Sequence, residues 1–289
     1  MARTTAHTAT TAGTTTAPAR RGEMITLWIL LGVSFAAAFA PATIPGSLSL
    51  LLGWVPVVFV FWHFIRWAGA FTALWSFVVI VVVSFSAEAI GVATGLVFGN
   101  YYYPDGPLGP LLLGVPPLIQ LQYFAMAYSA VMIARAVSGS LSSIVTGWRL
   151  VAVSAMAAFA QTLLDVVADP WHATVLGQWI WRDGGPYFGV PVHNFFGWWV
   201  ETFIFLLVVQ WLLARPRAVA HITAEKPRGF YLQGVLLFGT FILASSVIPL
   251  VQPVTGDAKT IADAMVVIAL FAVAPLWVAG LFGLRRATS

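Results

Sequence analysis

The sequence contains no cysteine and only two lysines, Lys226 and Lys259. Without thiols there can be no disulfides, thiolate catalysis, iron–sulfur clusters or cysteine-ligated zinc. Charged residues make up 8% of the chain against 60% hydrophobic, and the mean hydropathy is +0.90. A soluble domain carries roughly 25% charged residues, so that class is excluded. Neither lysine lies in a long apolar run, which excludes a Schiff-base chromophore of the retinal kind. The basic excess is not clustered on one soluble face. It reads as membrane orientation and not as nucleic-acid binding.

What the chain does have is apolar runs. A bilayer core of roughly 30 Å takes about 20 residues of helix. On that measure the sequence predicts an all-α integral membrane protein of about eight transmembrane helices, near 25–41, 48–66, 71–91, 116–137, 148–168, 193–213, 229–250 and 261–283. Residues 1–22 are a Thr/Ala-rich tract expected to form a disordered cytoplasmic tail, and 23–286 a single transmembrane domain. Arg20 and Arg21 before an apolar run resemble the start of a signal peptide. The run from Ile25 to Ala40 is long for one and rich in Trp and Phe, so a first membrane helix is the better reading.

An even number of spans puts both termini on one side. With the N-terminus cytoplasmic, twelve of the fourteen basic residues fall inside and only Arg182 and Lys259 outside, as the positive-inside rule requires. The acids do the reverse, Glu23 and Glu225 excepted. The expected location is the plasma membrane, with the polar residues of interest toward its non-cytoplasmic face.

Two outer connections share a pattern. Gly99-Asn-Tyr-Tyr-Tyr-Pro-Asp105-Gly106 matches Gly177-Gln-Trp-Ile-Trp-Arg-Asp183-Gly184, and each segment ends in Gly-Val-Pro. This predicts a parallel internal repeat, helix 3–loop–helix 4 against helix 5–loop–helix 6, with two aromatic outer loops building one site. Helices 1, 2, 7 and 8 read as plain packing spans.

Ionisable residues inside membrane segments are expensive and are functional candidates by default. Glu88 lies near the outer end of helix 3, with Ser84 on its face. Gly91 and Gly95 follow and permit close backbone approach. On helix 5, Gln161, Asp165 and Asp169 form one stripe at i, i+4 and i+8, and Pro170 should end or kink that helix. Two carboxylates a turn apart repel, so one should keep its proton unless a cation lies between them. Such a pair suits general acid chemistry. Helix 6 opens with His193 and Asn194. Asn194, Trp198 and Glu201 share a face, which sinks Glu201 roughly 10 Å at 1.5 Å per residue. His172, His193 and Asp169 are the one set suggestive of a metal, but no tight histidine spacing supports it. Tyr101, Tyr103, Trp179, Trp181, Tyr187 and Trp198 crowd the same outer region. Some belong to an interfacial belt, yet their repetition in two loops suits a cation or a conjugated chain.

The blocks E-x2-G-V-x2-G-x2-F-G-x-Y-x-Y (from Glu88), G-V-P-P, D-x3-D-P (from Asp165), G-x-W-x-W and G-V-P-x2-N-F-x-G-W resemble the membrane carotenoid-biosynthesis proteins of the CruF type, which are carotenoid 1,2-hydratases. The likeness covers Ser84 to Glu201. It implies hydration of the terminal C1–C2 double bond of an acyclic ψ-end group on a lycopene-like, γ-carotene-like or C50 bacterioruberin-precursor pigment. The implied proton donor and water-activating groups come from Glu88, Asp165, Asp169, Glu201, Asn194 and His193. The implied substrate contacts are Tyr101, Tyr103, Asp105, Trp179, Trp181, Asp183, Tyr187, Trp198 and Gln161. No metal or other cofactor is implied. The expected partners are the carotenoid or polyprenoid substrate in the bilayer, membrane lipids and other carotenoid enzymes. Other readings stay open: a carotenoid cyclase, a prenyltransferase using Asp165 and Asp169 for a metal–diphosphate, a non-catalytic carotenoid binder, or a proton-coupled transporter.

Overall fold

The structure, a computed structural model, describes residues 21–38, 52–106, 108–251 and 254–287. The tail expected at the N-terminus lies outside them, apart from its last two residues. The described chain is mostly helical, and its one strand pair lies in the two outer loops. In order it forms α1 (Arg21–Ala38), α2 (Val55–Ala68), α3 (Ala70–Thr94), α4 (Ile119–Val137), α5 (Gly147–Asp169), α6 (Val192–Leu213), α7 (Pro216–Ile222), α8 (Arg228–Val251), α9 (Gly256–Ile268) and α10 (Ala274–Ala287). A wider π turn, Pro170–Val175, extends α5, and another, Ala269–Val273, joins α9 to α10.

Among the described residues five helical segments are long and apolar enough to cross a membrane: Ala70–Thr94, Gly147–Val175, Val192–Leu213, Arg228–Val247 and Gly256–Arg285. This makes the protein a multi-pass membrane protein. α3 includes the run Val78-Val79-Ile80-Val81-Val82-Val83, whose β-branched residues are poor helix formers in water. In hydrocarbon the backbone must bond to itself, and helix is the available answer. It ends at Gly95, whose φ of 72° and N–H to Gly91 O close the last turn.

α4 is the axle of the bundle. α2, α3, α5, α8 and α10 all pack on it, and fourteen of its nineteen residues are buried. A helix that touches protein and not lipid need not be uniformly apolar, so α4 can carry Gln120, Tyr123, Ser129 and Arg135. Small residues let its neighbours close in. A Cβ added at Gly283 of α10 would stand 2.0 Å from Ala136 O, and one at Gly234 of α8 would stand 2.5 Å from the Met132 side chain. Arg135 is fully buried in the last turn of α4. Its guanidinium donates to Gln210 Oε1 at 2.8 and 3.1 Å and to the carbonyls of Ser140 and Ser143 at 3.0 Å. It is a structural tie rather than a free topological charge.

The two outer loops meet. β1 (Tyr101–Tyr102) pairs antiparallel with β2 (Ile180–Trp181), Tyr101 opposite Trp181 and Tyr102 opposite Ile180. Each loop then makes the same tight turn. Leu112 and Val115 exchange both backbone hydrogen bonds, as do Tyr187 and Val190. Leu113 and Phe188 sit at φ of 52° and 51°, and the glycines after them at 79° and 88°. Two successive positive φ values are the mark of a type I′ turn.

Candidate active site

α3, α4, α5, α6 and α8 and both loops enclose a cavity of about 300 Å³ beneath the β ribbon. α3 brings Glu88 to it. Ser84, Glu88 and Gly91 form one buried face of that helix. Three tyrosine hydroxyls donate to the Glu88 carboxylate. Tyr101 and Tyr103 from the first loop reach Oε2, Tyr103 at 2.9 Å, and Tyr123 from α4 reaches Oε1 at 2.5 Å. Gly91 makes room for them: a Cβ there would lie 3.0 Å from the Phe98 ring and 3.2 Å from Tyr101 Oη. What the glycine admits is an aromatic ring, not the neighbouring backbone that the sequence suggested.

α5 brings the second pair of carboxylates. Asn194, in the first turn of α6, donates from Nδ2 to Asp165 Oδ2 at 3.0 Å and to Asp169 Oδ2 at 2.6 Å. Trp179 Nε1 donates to Asp169 Oδ1 at 2.7 Å. None of the three polar residues is more than 5% exposed. The amide places one hydrogen on each carboxylate and so holds two like groups together.

As the sequence predicts, the α-helical part of α5 ends at Asp169, and Pro170 opens the wider π turn. Having no N–H, the proline leaves the carbonyl of Val166 without its helical donor. Tyr187 Oη supplies one at 2.9 Å, and the chain runs on through the π turn to Val175. Tyr187, expected to touch substrate, is therefore committed to the backbone. It is absent from the cavity wall.

Aromatic faces line the space between the two carboxylate centres. Tyr123 stacks on Trp198 with centroids 4.6 Å apart and planes 7° from parallel. Tyr101 lies 4.9 Å from Trp181, and Trp179 lies 6.3 Å from Tyr103. Lower down, Met126, Leu164, Phe241, Ala244 and Ser245 make an apolar floor. Among the described residues no Lys or Arg lines the cavity.

The structure thus gathers Glu88, Asp165, Asp169, Asn194, Tyr101, Tyr103, Trp179, Trp181 and Trp198 on one cavity. Other expected members lie elsewhere. His193 is exposed and its Nε2 bonds Leu96 O at 2.8 Å, tying the start of α6 to the first loop. That also splits the Asp169, His172 and His193 set considered for a metal. Glu201 is 4% exposed but faces a separate, mostly apolar groove of about 610 Å³ between α3 and α6, with no hydrogen-bond partner among the described residues. It lies two turns further along the same α6 stripe as Asn194, beyond the residues that wall the cavity. Gln161 is buried below Asp165 and does not reach the cavity wall. Asp105 and Asp183 are exposed beside Gly106 and Gly184, glycines with positive φ, and serve the loop turns.

Two contributions were not anticipated. Tyr123 completes the Glu88 cluster; the polar start of α4, Gln120-Leu-Gln122-Tyr123, was the signal available. α8, read from sequence as a packing span, supplies Phe241, Ala244 and Ser245, and nothing in its local pattern singles them out.

A family model described as carotenoid biosynthesis protein matches residues 45–274. A bisanhydrobacterioruberin hydratase of Haloarcula japonica is 30% identical over 127 residues, which is 43% of this chain and 40% of that protein. No solved structure matches. The family match covers most of the chain and contains every residue of the cavity wall, and on that ground the chain belongs to the carotenoid biosynthesis protein family.

Proposed function

We propose that this protein is a carotenoid hydratase that adds water across the terminal C1–C2 double bond of an acyclic ψ-end group. The substrate would be a lycopene-like, γ-carotene-like or C50 bacterioruberin-precursor pigment. One observation carries the reading: two separate carboxylate centres face a single cavity walled by aromatic rings and free of Lys and Arg among the described residues. Markovnikov hydration needs those parts. A carboxylic acid protonates C2, the tertiary cation at C1 rests against Tyr and Trp faces, and a placed water captures it while a carboxylate takes the spare proton. Aromatic faces stabilise such a cation by about 0.5–2 kcal/mol. The net change is one water, so the reaction is neither an oxidation nor a reduction overall. A diphosphate substrate is disfavoured by the lack of cationic lining.

The membrane arrangement belongs to the same proposal. Eight crossings with cytoplasmic termini place the cavity in the outer half of the bilayer, where a membrane-spanning polyene presents its end group. The matched type I′ turns and the strand pairing support the reading of the two loops as duplicated halves. The test is expression in a lycopene-producing host, with pigments resolved by mass. The expected product is the substrate plus one water. Asp165→Asn and Glu88→Gln should each lose that product while the protein still folds, and near-normal hydration in both would refute the assignment.

A further inference from the structure

The two carboxylate centres occupy equivalent places. Glu88 stands eleven residues before Gly99 and Asp165 twelve before Gly177. The π turn at Pro170–Val175 lies within the second interval and absorbs the extra residue. Tyr102 and Ile180, equivalent by the loop pattern, pair with each other across the ribbon, and Tyr101 and Tyr103 contact the mates Trp181 and Trp179. Tyr123 lies seven residues after Pro116, Trp198 seven after Pro191, and these two stack face to face. These pairings are the ones an approximate two-fold axis through the ribbon would produce, with Glu88 and Asp165 as counterparts.

Equivalent positions have acquired different surroundings. Glu88 accepts three O–H donors, on both of its oxygens. A carboxylate satisfies all three at once, and a neutral acid would set its own O–H against one of them. Asp165 accepts one N–H, from an amide it shares with Asp169. Among the described residues no other donor reaches it, so it has an oxygen on which to hold a proton.

Resting on the hydratase reading, we propose that the two halves divide the chemistry: Asp165, paired with Asp169 through Asn194, gives the proton to C2, and Glu88 within its three tyrosines receives the proton of the attacking water. The Asp165 O–H bond breaks as the π pair of C1–C2 forms the new C2–H bond, leaving the cation at C1. The water oxygen bonds C1, and its proton passes to Glu88. Cavity water returns that proton to Asp165 between turnovers, so the sum is one water added. Tyr123, in contact with both Glu88 and the Trp198 ring, is a positioning residue for the base.

The experiment uses the full chain in membranes, an acyclic ψ-end carotenoid and ²H₂O, with substrate and alcohol resolved by mass. The wild type should form alcohol carrying carbon-bound deuterium. If it adds no water, the hydratase reading fails, whatever the variants do. Glu88→Gln should form little alcohol yet place deuterium in recovered substrate, because the cation reverts by giving a proton back to Asp165. Asp165→Asn should do neither. Tyr123→Phe, which keeps the ring stack, should lower alcohol formation about tenfold or more and leave exchange in place. The division is overturned if exchange survives in Asp165→Asn, or if folded Glu88→Gln and Tyr123→Phe proteins both fail to exchange.

Discussion

Replacing Asn194 with Leu keeps a branched side chain of similar shape and removes both amide hydrogens from the Asp165–Asp169 pair. Asp165 then loses its one donor, at 3.0 Å, while Asp169 loses the shorter contact at 2.6 Å but keeps Trp179 at 2.7 Å. A buried acceptor left without a partner costs about 1–3 kcal/mol, and more if charged. Counting Asp165 fully and Asp169 in part, the loss should be about 2–4 kcal/mol. At roughly 2 °C per kcal/mol for a chain of this size, Tm should fall by about 4–8 °C. The assay is thermal unfolding of purified protein in detergent, for Asn194→Leu, Asp165→Leu and the double variant. Removing Asp165 takes away the acceptor that suffers most, so the double variant should be more stable than the two single losses predict by about 1–2 kcal/mol. A fall in Tm under about 1 °C, or strict additivity, would refute the claim that this amide holds the two carboxylates together.

Other outcomes follow from the same structure. With only two lysines, a membrane-impermeant amine reagent applied to whole cells should label Lys259 and spare Lys226; labelling of Lys226 would overturn the topology. Burial, and then the nearby Arg66 charge, lower the Lys226 ammonium from 10.5 to about 8. The unfolded chain then holds more protons between those values, so stability should rise with pH across that window, and Lys226→Met should flatten the rise in Tm. At Gly197 an added Cβ would stand 2.2 Å from Val97 O. Gly197→Ala should therefore cost about 1–3 kcal/mol or more, read as a lower Tm; an unchanged Tm would show that α6 does not press on the first loop.

Much of the site could be read from residue types in sequence. Carboxylates and aromatics near helix ends are costly in a membrane, so Glu88, Asp165, Asp169, Tyr101 and Trp179 stood out before any contact was known. The misplacements share one cause. Helical periodicity gives an angle about the helix axis but neither which neighbour that angle faces nor how deep the cavity runs. Glu201 and Asn194 lie on one α6 stripe, yet Asn194 reaches the cavity wall while Glu201, two turns further along, lies beyond it and borders the groove between α3 and α6. Tyr187 looked like its aromatic neighbours in the loop. Its role depends on the Val166 carbonyl, freed by Pro170 seventeen residues earlier in the chain, and no local signal reports that.

The sequence by itself determined the solvent, the helical class and the family, because hydropathy, the near absence of charge and the motif spacing are properties of the chain taken alone. It also determined that two loops match. Only the tertiary structure decided that they pair with each other, that α4 is central and supplies Tyr123, and that α8 closes the floor. Those facts rest on which helices touch, and a bilayer makes every apolar helix equally willing to be outermost. The choice falls to close approach at glycines and to the few buried hydrogen bonds, which are contacts between residues far apart in the chain.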